Sequence, residues 1–261
     1  MREQSEAQLL ARAADLFDRA AAGEVVYTPF LTPREQKILQ EKHAFARERV
    51  LMLGGYDGAE RRRMYILPEY MAELDPDVRE ELLADVLSAS LLALSVKGSG
   101  YRELSHRDFL GSVLNLGIER DAIGDICVLS PHEAILFCDR VIAAFLKENL
   151  LRVAHDAVRV CEVSLAPDFD GGRKFEPCSD TVASPRADAV VAALCNLSRE
   201  RAQALFARAL VEIDYESAEK YDREVSEGAI ITVRGYGKFI VRSLSDKTKK
   251  GRFRLLADRY V

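Results

Sequence analysis

From Ala166 to Ser184 the chain turns polar and dense in turn-forming residues: Pro167, Asp168, Asp170, Gly171, Gly172 and Pro177. Such a stretch reads as a linker over residues 167–183, and it forces the apolar segments on either side into separate cores. With 261 residues in all, there is room for one large domain or two to three small ones. The divisions that follow are an N-terminal helical region over 1–60, a central domain over 61–166 and a C-terminal domain over 184–261.

Ahead of the break, Leu9, Leu10, Ala13, Leu16 and Phe17 recur at helical spacing, so residues 4–22 read as an amphipathic helix that Gly23 stops. Thr32-Pro33-Arg34-Glu35 is a capping box with proline at the first helical position, opening a second helix expected to run to about Leu53. Gly54-Gly55-Tyr56-Asp57-Gly58 breaks it. The central region then alternates. Arg63–Leu67 reads as a strand, and Asp75-Pro76 caps a helix to about Ser88. Leu91–Lys97 is a strand, and Ser105 with Asp108 caps a helix ending at Gly117. Ile126–Leu129 and Ala134–Phe137 read as a hairpin, although Ser130-Pro131-His132-Glu133 could equally cap a helix. Residues 140–150 are helical and Val158–Leu165 is a last strand. Helices packed on one sheet give an α/β sandwich, and the chain as a whole is α+β.

Behind the break, apolar residues of the segment opened by Ser184-Pro185 form one helix, and Ser198 caps a second whose Ala202, Leu205 and Phe206 face inward. A strand-rich segment follows. Net charge is −5 overall, but the residues from Thr181 onward carry 15 basic against 11 acidic side chains, so the first 180 hold a net −9. Arg234–Arg259 alone holds nine cations against Asp246 and Asp258. A local basic face on an acidic protein suits one polyanion geometry while repelling others. Arg186, Arg199, Gln203 and Arg208 are placed to line the two helices, where unpaired helix N–H groups and guanidinium forks favour phosphate. Lys238, Lys247, Lys249, Lys250 and Arg252 extend that face. In Arg234-Gly235-Tyr236-Gly237-Lys238-Phe239, Phe239 is expected in the core, while Tyr236 is equally suited to core packing and to base stacking.

Reaction chemistry finds little footing. His43, His106, His132 and His155 lack metal-ligand spacing, and His106-Arg107-Asp108 has none of the partners of a kinase loop. The glycines at 54–58 follow a helix and are wrongly spaced for a dinucleotide fingerprint. Five scattered cysteines form no Cys-x-x-Cys pair, as expected for buried thiols in a reducing compartment. The charged N-terminus is no signal peptide, and no apolar run approaches the roughly 20 residues of a membrane span. A cytoplasmic protein without catalytic residues, metal or cofactor is expected.

Two resemblances sharpen this. Arg186-Ala187-Asp188, the run Ser198-Arg199-Glu200-Arg201-Ala202-Gln203-Ala204-Leu205 and Gly228-Ala229-Ile230 follow the order of the RNA-binding domain first named for ribosomal small-subunit protein four, the S-four domain. It covers about Pro185–Val233 well and the tail to Tyr260 more loosely. It implies RNA contacts at Arg186, Ser198, Arg199, Gln203 and Arg208. The chain departs from it with Ala209 where glycine is usual, and with Asp214-Tyr215 where Asn-Gly is frequent. Upstream, Gly54-Gly55-Tyr56-x-x-Ala59-Glu60-Arg61, Pro29-Phe30, His106-Arg107-Asp108-Phe109-Leu110-Gly111 and Ile123-Gly124-Asp125-Ile126, together with the S-four module, resemble the YlmH family. That resemblance implies a central plait similar to an RNA-recognition motif. It also implies binding of ribosomal RNA and tRNA on the large ribosomal subunit, in rescue and quality control of stalled translation. Leu91–Lys97 has no aromatic residue, so stacked bases are not expected on the central sheet. The competing readings are an RNA-modifying enzyme with an S-four targeting domain, a photosystem-associated S-four protein, and a protein-interaction module acting through the acidic N-terminal portion. On the reading as a non-catalytic ribosome-docking protein, Arg199→Glu with Arg208→Glu should abolish ribosome co-sedimentation and leave folding intact.

Overall fold

The computed structural model describes residues 6–42, 49–244, 248 and 251–261, and the chain divides into two compact units, Met1–Gly172 and Arg173–Val261. In the first unit, α1 (Glu6–Ala21) and α2 (Pro33–Lys42) pack on a three-stranded antiparallel sheet of order β1-β3-β2, built from β1 (Val26–Tyr27), β2 (Val50–Leu53) and β3 (Arg63–Ile66). The capping box forms as expected: the Thr32 backbone N–H donates to Glu35 at 2.7 Å and the Glu35 N–H returns to the Thr32 hydroxyl at 3.3 Å. The second helix does not reach Leu53. Val50–Leu53 pairs residue for residue with Arg63–Ile66, and β3 therefore belongs to the N-terminal sheet rather than to the central one. Four consecutive apolar side chains satisfy a strand as readily as a helix, and the presence of a free edge on β3 decides between them.

The central sheet is antiparallel, of order β5-β6-β4-β8-β7, formed by β4 (Leu91–Gly98), β5 (Ile123–Ser130), β6 (Glu133–Asp139), β7 (Arg152–Val153) and β8 (Asp156–Glu162). The hairpin reading of β5 and β6 holds, with Val128 opposite Ala134. α3 (Pro76–Ser90) precedes the sheet. α4 (His106–Leu114), capped by a full Ser105–Asp108 box, and α5 (Arg140–Asn149) bury Phe109, Val113, Ala143 and Leu146 against one sheet face. The other face is not open. Tyr56 stacks on Phe137 with ring centroids 5.0 Å apart, and Phe169 meets Tyr56 edge-on at 5.3 Å. The glycine-tyrosine segment thus seals that face. Gly55 sits at φ +99° where a β-carbon would lie 2.5 Å from the Phe137 ring, so only glycine fits.

In the second unit, α6 (Ala187–Leu194) and α7 (Arg199–Ala207) bury Val190, Val191, Ala202, Leu205 and Phe206 against a six-stranded antiparallel sheet of order β11-β10-β12-β13-β14-β9. Its strands are β9 (Phe175–Val182), β10 (Val211–Ile213), β11 (Glu216–Ser217), β12 (Ile230–Val233), β13 (Gly237–Ser243) and β14 (Phe253–Tyr260). The second half of the stretch read as linker is therefore β9 (Phe175–Val182), which pairs with all eight residues of β14. Its polar composition is that of an edge strand, where charged and proline residues deter further pairing. Ser184-Pro185 does not cap α6. Arg186 holds the cap position and forms a bridge to Glu224, while the Val225 N–H donates to the Pro185 carbonyl at 2.8 Å.

α7 ends on a left-handed residue, Ala209 at φ 51°, with the Leu210 N–H donating to the Leu205 carbonyl at 3.0 Å. That closure favours glycine. Ala209→Gly is expected to raise stability by roughly 0.5–1 kcal/mol, the relief of left-handed strain exceeding the added freedom of the unfolded chain. Urea denaturation measures it, and an unchanged or lower midpoint would contradict this account.

Candidate nucleic-acid interface

The two helices of the C-terminal unit are organised by a residue that the charge pattern did not single out. Asp188, in the first turn of α6, is 0% exposed. Arg199 Nε and Nη2 donate to its two carboxylate oxygens at 2.9 and 3.2 Å, and Arg186 Nε and Nη2 do so at 3.3 Å each. Gln203 Nε2, one turn along α7 from Arg199, adds a bond of 2.7 Å. Burial alone would raise the Asp188 carboxyl, but the hydrogen bonds from Arg199, Arg186 and Gln203 outweigh it and hold the group well below the usual carboxylate range. Three of the residues expected to grip a polyanion thus hold an internal carboxylate first. They are not consumed by it: the side chains of Arg186 and Arg199 remain 36% and 50% exposed. Two cations converge on one buried carboxylate, and Asp222 also acts on Arg186 from nearby. Among the described residues, the Nη1 amines of both arginines make no hydrogen bond. Their planes are oriented in advance, which lowers the entropy of engaging an anion.

The other expected contacts divide. Ser198 caps α7, accepting from the Arg201 N–H at 3.3 Å. Arg208, just past the last turn of α7, donates its N–H to the Leu205 carbonyl at 3.3 Å, and its exposed side chain makes no hydrogen bond or ion pair among the described residues. Arg234, not singled out as a contact from sequence, lies beside it: its N–H donates to the Leu210 carbonyl at 2.9 Å, and its side chain is exposed. Lys238 lies away from the helices, its ammonium 5.1 and 4.9 Å from the rings of Tyr215 and Tyr260. Arg252 bonds to the Thr181 hydroxyl at 3.0 Å and to its carbonyl, tying β14 to β9. Lys247, Lys249 and Lys250 lie outside the described residues. Phe239 is buried, and Tyr236 is partly exposed.

The first unit offers different chemistry. Tyr56 donates to Asp125 at 2.7 Å, and the same carboxylate accepts the N–H groups of Glu60 and Arg61 at 2.8 and 2.9 Å. Arg61 donates to the carbonyls of Ile123 and Phe30. Gly124 packs so closely on Phe30 that a β-carbon would lie 2.8 Å from the ring. Three of the segments that carry the sequence resemblance upstream, 29–30, 54–61 and 123–126, therefore meet one another in a packing seam. An open groove of about 460 Å³ lies between the Gly54–Gly58 loop and α3, reaching Arg62, Leu87 and Ser88. Its lining brings no pair of acids and no nucleophile–base pair together. Among the described residues no group of three or more His, Cys, Asp or Glu side chains could hold a metal ion.

Fold and site together define an α+β protein with a preorganised cationic surface on its C-terminal unit. A family model described as "YlmH, N-terminal" matches residues 5–71, and one described as "Putative RNA-binding domain in YlmH" matches residues 91–167. The ribosome-associated protein quality control protein P2 of Bacillus subtilis (strain 168) is 31% identical over 233 residues, 89% of this chain and 86% of that protein. A solved structure of cell division protein ylmH from Streptococcus pneumoniae shares 20% identity with a TM-score of 0.47, over 65% of this chain and 98% of that one. The chain belongs to the YlmH family.

Proposed function

We propose that this chain is a non-catalytic RNA-binding protein of the cytoplasm that docks on the large ribosomal subunit, contacting ribosomal RNA and tRNA in the rescue of stalled translation. The observation that carries the reading is the pair of arginines held on Asp188 together with the exposed side chains of Arg208 and Arg234, unpaired among the described residues, on the same small unit. Family membership and the name of the Bacillus relative support the ribosomal setting. The helix–helix–strand order and the Asp188 network support an S-four reading of the C-terminal unit. The β4-α4-β5-β6-α5-β8 order supports a plait similar to an RNA-recognition motif in the centre. Since Tyr56 and Phe169 cover one face of that central sheet and α4 and α5 the other, base stacking is assigned to neither face.

The structure changes the test. Glutamate at position 199 would face the buried carboxylate of Asp188, so Arg199→Glu is expected to disturb folding as well as binding. Arg208→Glu with Arg234→Glu avoids that. This double variant should keep the wild-type melting curve, lower ribosome co-sedimentation about tenfold or more, and reduce the salt slope of log K by about 2. Unchanged co-sedimentation at moderate salt would refute the assignment.

A further inference from the structure

The second face of the C-terminal sheet has a character of its own. Along β14, Phe253, Leu255 and Ala257 point to the core that α6 and α7 cover, which sends Arg254, Leu256, Asp258 and Tyr260 to the opposite face. Directly opposed residues share a face, so Phe175 joins Tyr260, and Ile240 joins Asp258. Here the aromatic and cationic side chains interleave. Lys238 lies between the rings of Tyr215 and Tyr260, at 5.1 and 4.9 Å. The Tyr260 and Phe175 rings meet edge-on at 5.0 Å, and the Arg242 guanidinium stands 5.5 Å over Phe175. The row thus crosses from the β10–β11 turn to the edge strand β9. Phe175 is 39% exposed and Leu256 41%.

We propose that this face is a second RNA-contacting surface, one that takes unpaired nucleotides by stacking, distinct from the helix-borne cations that hold phosphates. It rests on the RNA-binding reading above. The charge on the face favours a polyanion: by strand register it carries Lys238, Arg242 and Arg254 against Glu212 and Asp258, and Asp258 is paired with Arg242 at 2.7 Å. Rings already braced against one another and against cations lose little freedom when a base packs on them. Every base has a π-face, so such a row accepts a single strand with little sequence preference, whereas a duplex hides its bases from it.

The test uses the full chain and fluorescence anisotropy with a labelled oligouridylate of about 12 nucleotides, compared with an RNA duplex of equal length. Phe175→Ala and Tyr260→Ala should each weaken single-strand binding about 5-fold or more and leave duplex binding unchanged. Phe175→Leu, which keeps apolar bulk without a π-face, should fall with alanine, and Phe175→Trp should retain affinity. Arg208→Glu with Arg234→Glu should weaken the duplex at least as much as the strand. Unchanged single-strand affinity in the alanine variants, equal losses for strand and duplex, or full affinity in Phe175→Leu would each overturn the proposal. A wild-type chain that binds the duplex but not the strand would remove this surface and leave the ribosomal reading standing. A chain that binds neither would remove both.

Discussion

Arg63→Ala is expected to destabilise the N-terminal unit by about 3–5 kcal/mol, the range for leaving one partner of a buried ion pair behind. Arg63 is 1% exposed and spans the junction between the two sheets of that unit. Its Nη2 donates to Asp139 at 2.5 Å and its Nη1 to the Ser90 carbonyl at 2.8 Å. Its guanidinium stands 5.0 and 4.5 Å from the ring centres of Tyr27 and Phe30. Alanine removes all four contacts, opens a cavity and leaves Asp139 without its cation. Arg63→Met should lose less, since it keeps volume against the rings and removes an Nε that has no hydrogen-bond partner among the described residues. Urea unfolding of the full chain, followed by far-ultraviolet circular dichroism, should show the N-terminal transition moving and the C-terminal one staying. Equal losses in both variants would mean that the ion pair and hydrogen bonds rather than shape hold the junction.

Asp188→Ala should remove about 2–3 kcal/mol from the C-terminal unit, discounted from the fully buried case because its arginine partners are half in water. It should also weaken RNA binding even though loss of an acid alone would favour a polyanion, because Arg186 and Arg199 lose the group that aims them. The pH dependence identifies the mechanism. The folded carboxyl titrates below its unfolded value of about 3.9, so as the pH falls the unfolded chain takes up the proton first. The stabilisation is therefore complete at neutral pH and is lost below about pH 4. Melting curves of wild type and Asp188→Asn should be well separated at neutral pH and converge in acid. Curves that remain parallel down to about pH 3 would show that the carboxylate charge is not what holds the helices.

The correct readings and the corrections separate by range. Ser105 with Asp108, Thr32 with Glu35, and Ser198 at the head of α7 were legible because each cap is made within three residues of itself. Val50–Leu53 and Phe175–Val182 were misread because neither contains its own strand signal. An apolar run continued a helix pattern in the first, and a polar edge imitated a linker in the second. Their partners, β3 and β14, made them strands. Charge and spacing drew Arg186, Arg199 and Gln203 together as one patch, and the three side chains do meet. That they converge on Asp188 was invisible, since an acid in the first turn of a helix reads equally as a complement to the helix dipole.

By itself, then, the amino-acid order determined which segments are helical, where most of them start, that the chain is α+β, and that positive charge gathers near its C-terminal end. Those properties depend on neighbours a few residues apart and on composition. Only the tertiary structure decided that Tyr56 meets Asp125 across 69 positions and that Arg63 meets Asp139 across 76. It likewise decided that a buried carboxylate aims the arginines, and that rings from β9, β14 and the β10–β11 turn lie in one row with Lys238 and Arg242. Burial and ion pairing depend on which distant groups the folded chain brings within a few ångströms, and local sequence does not carry that information.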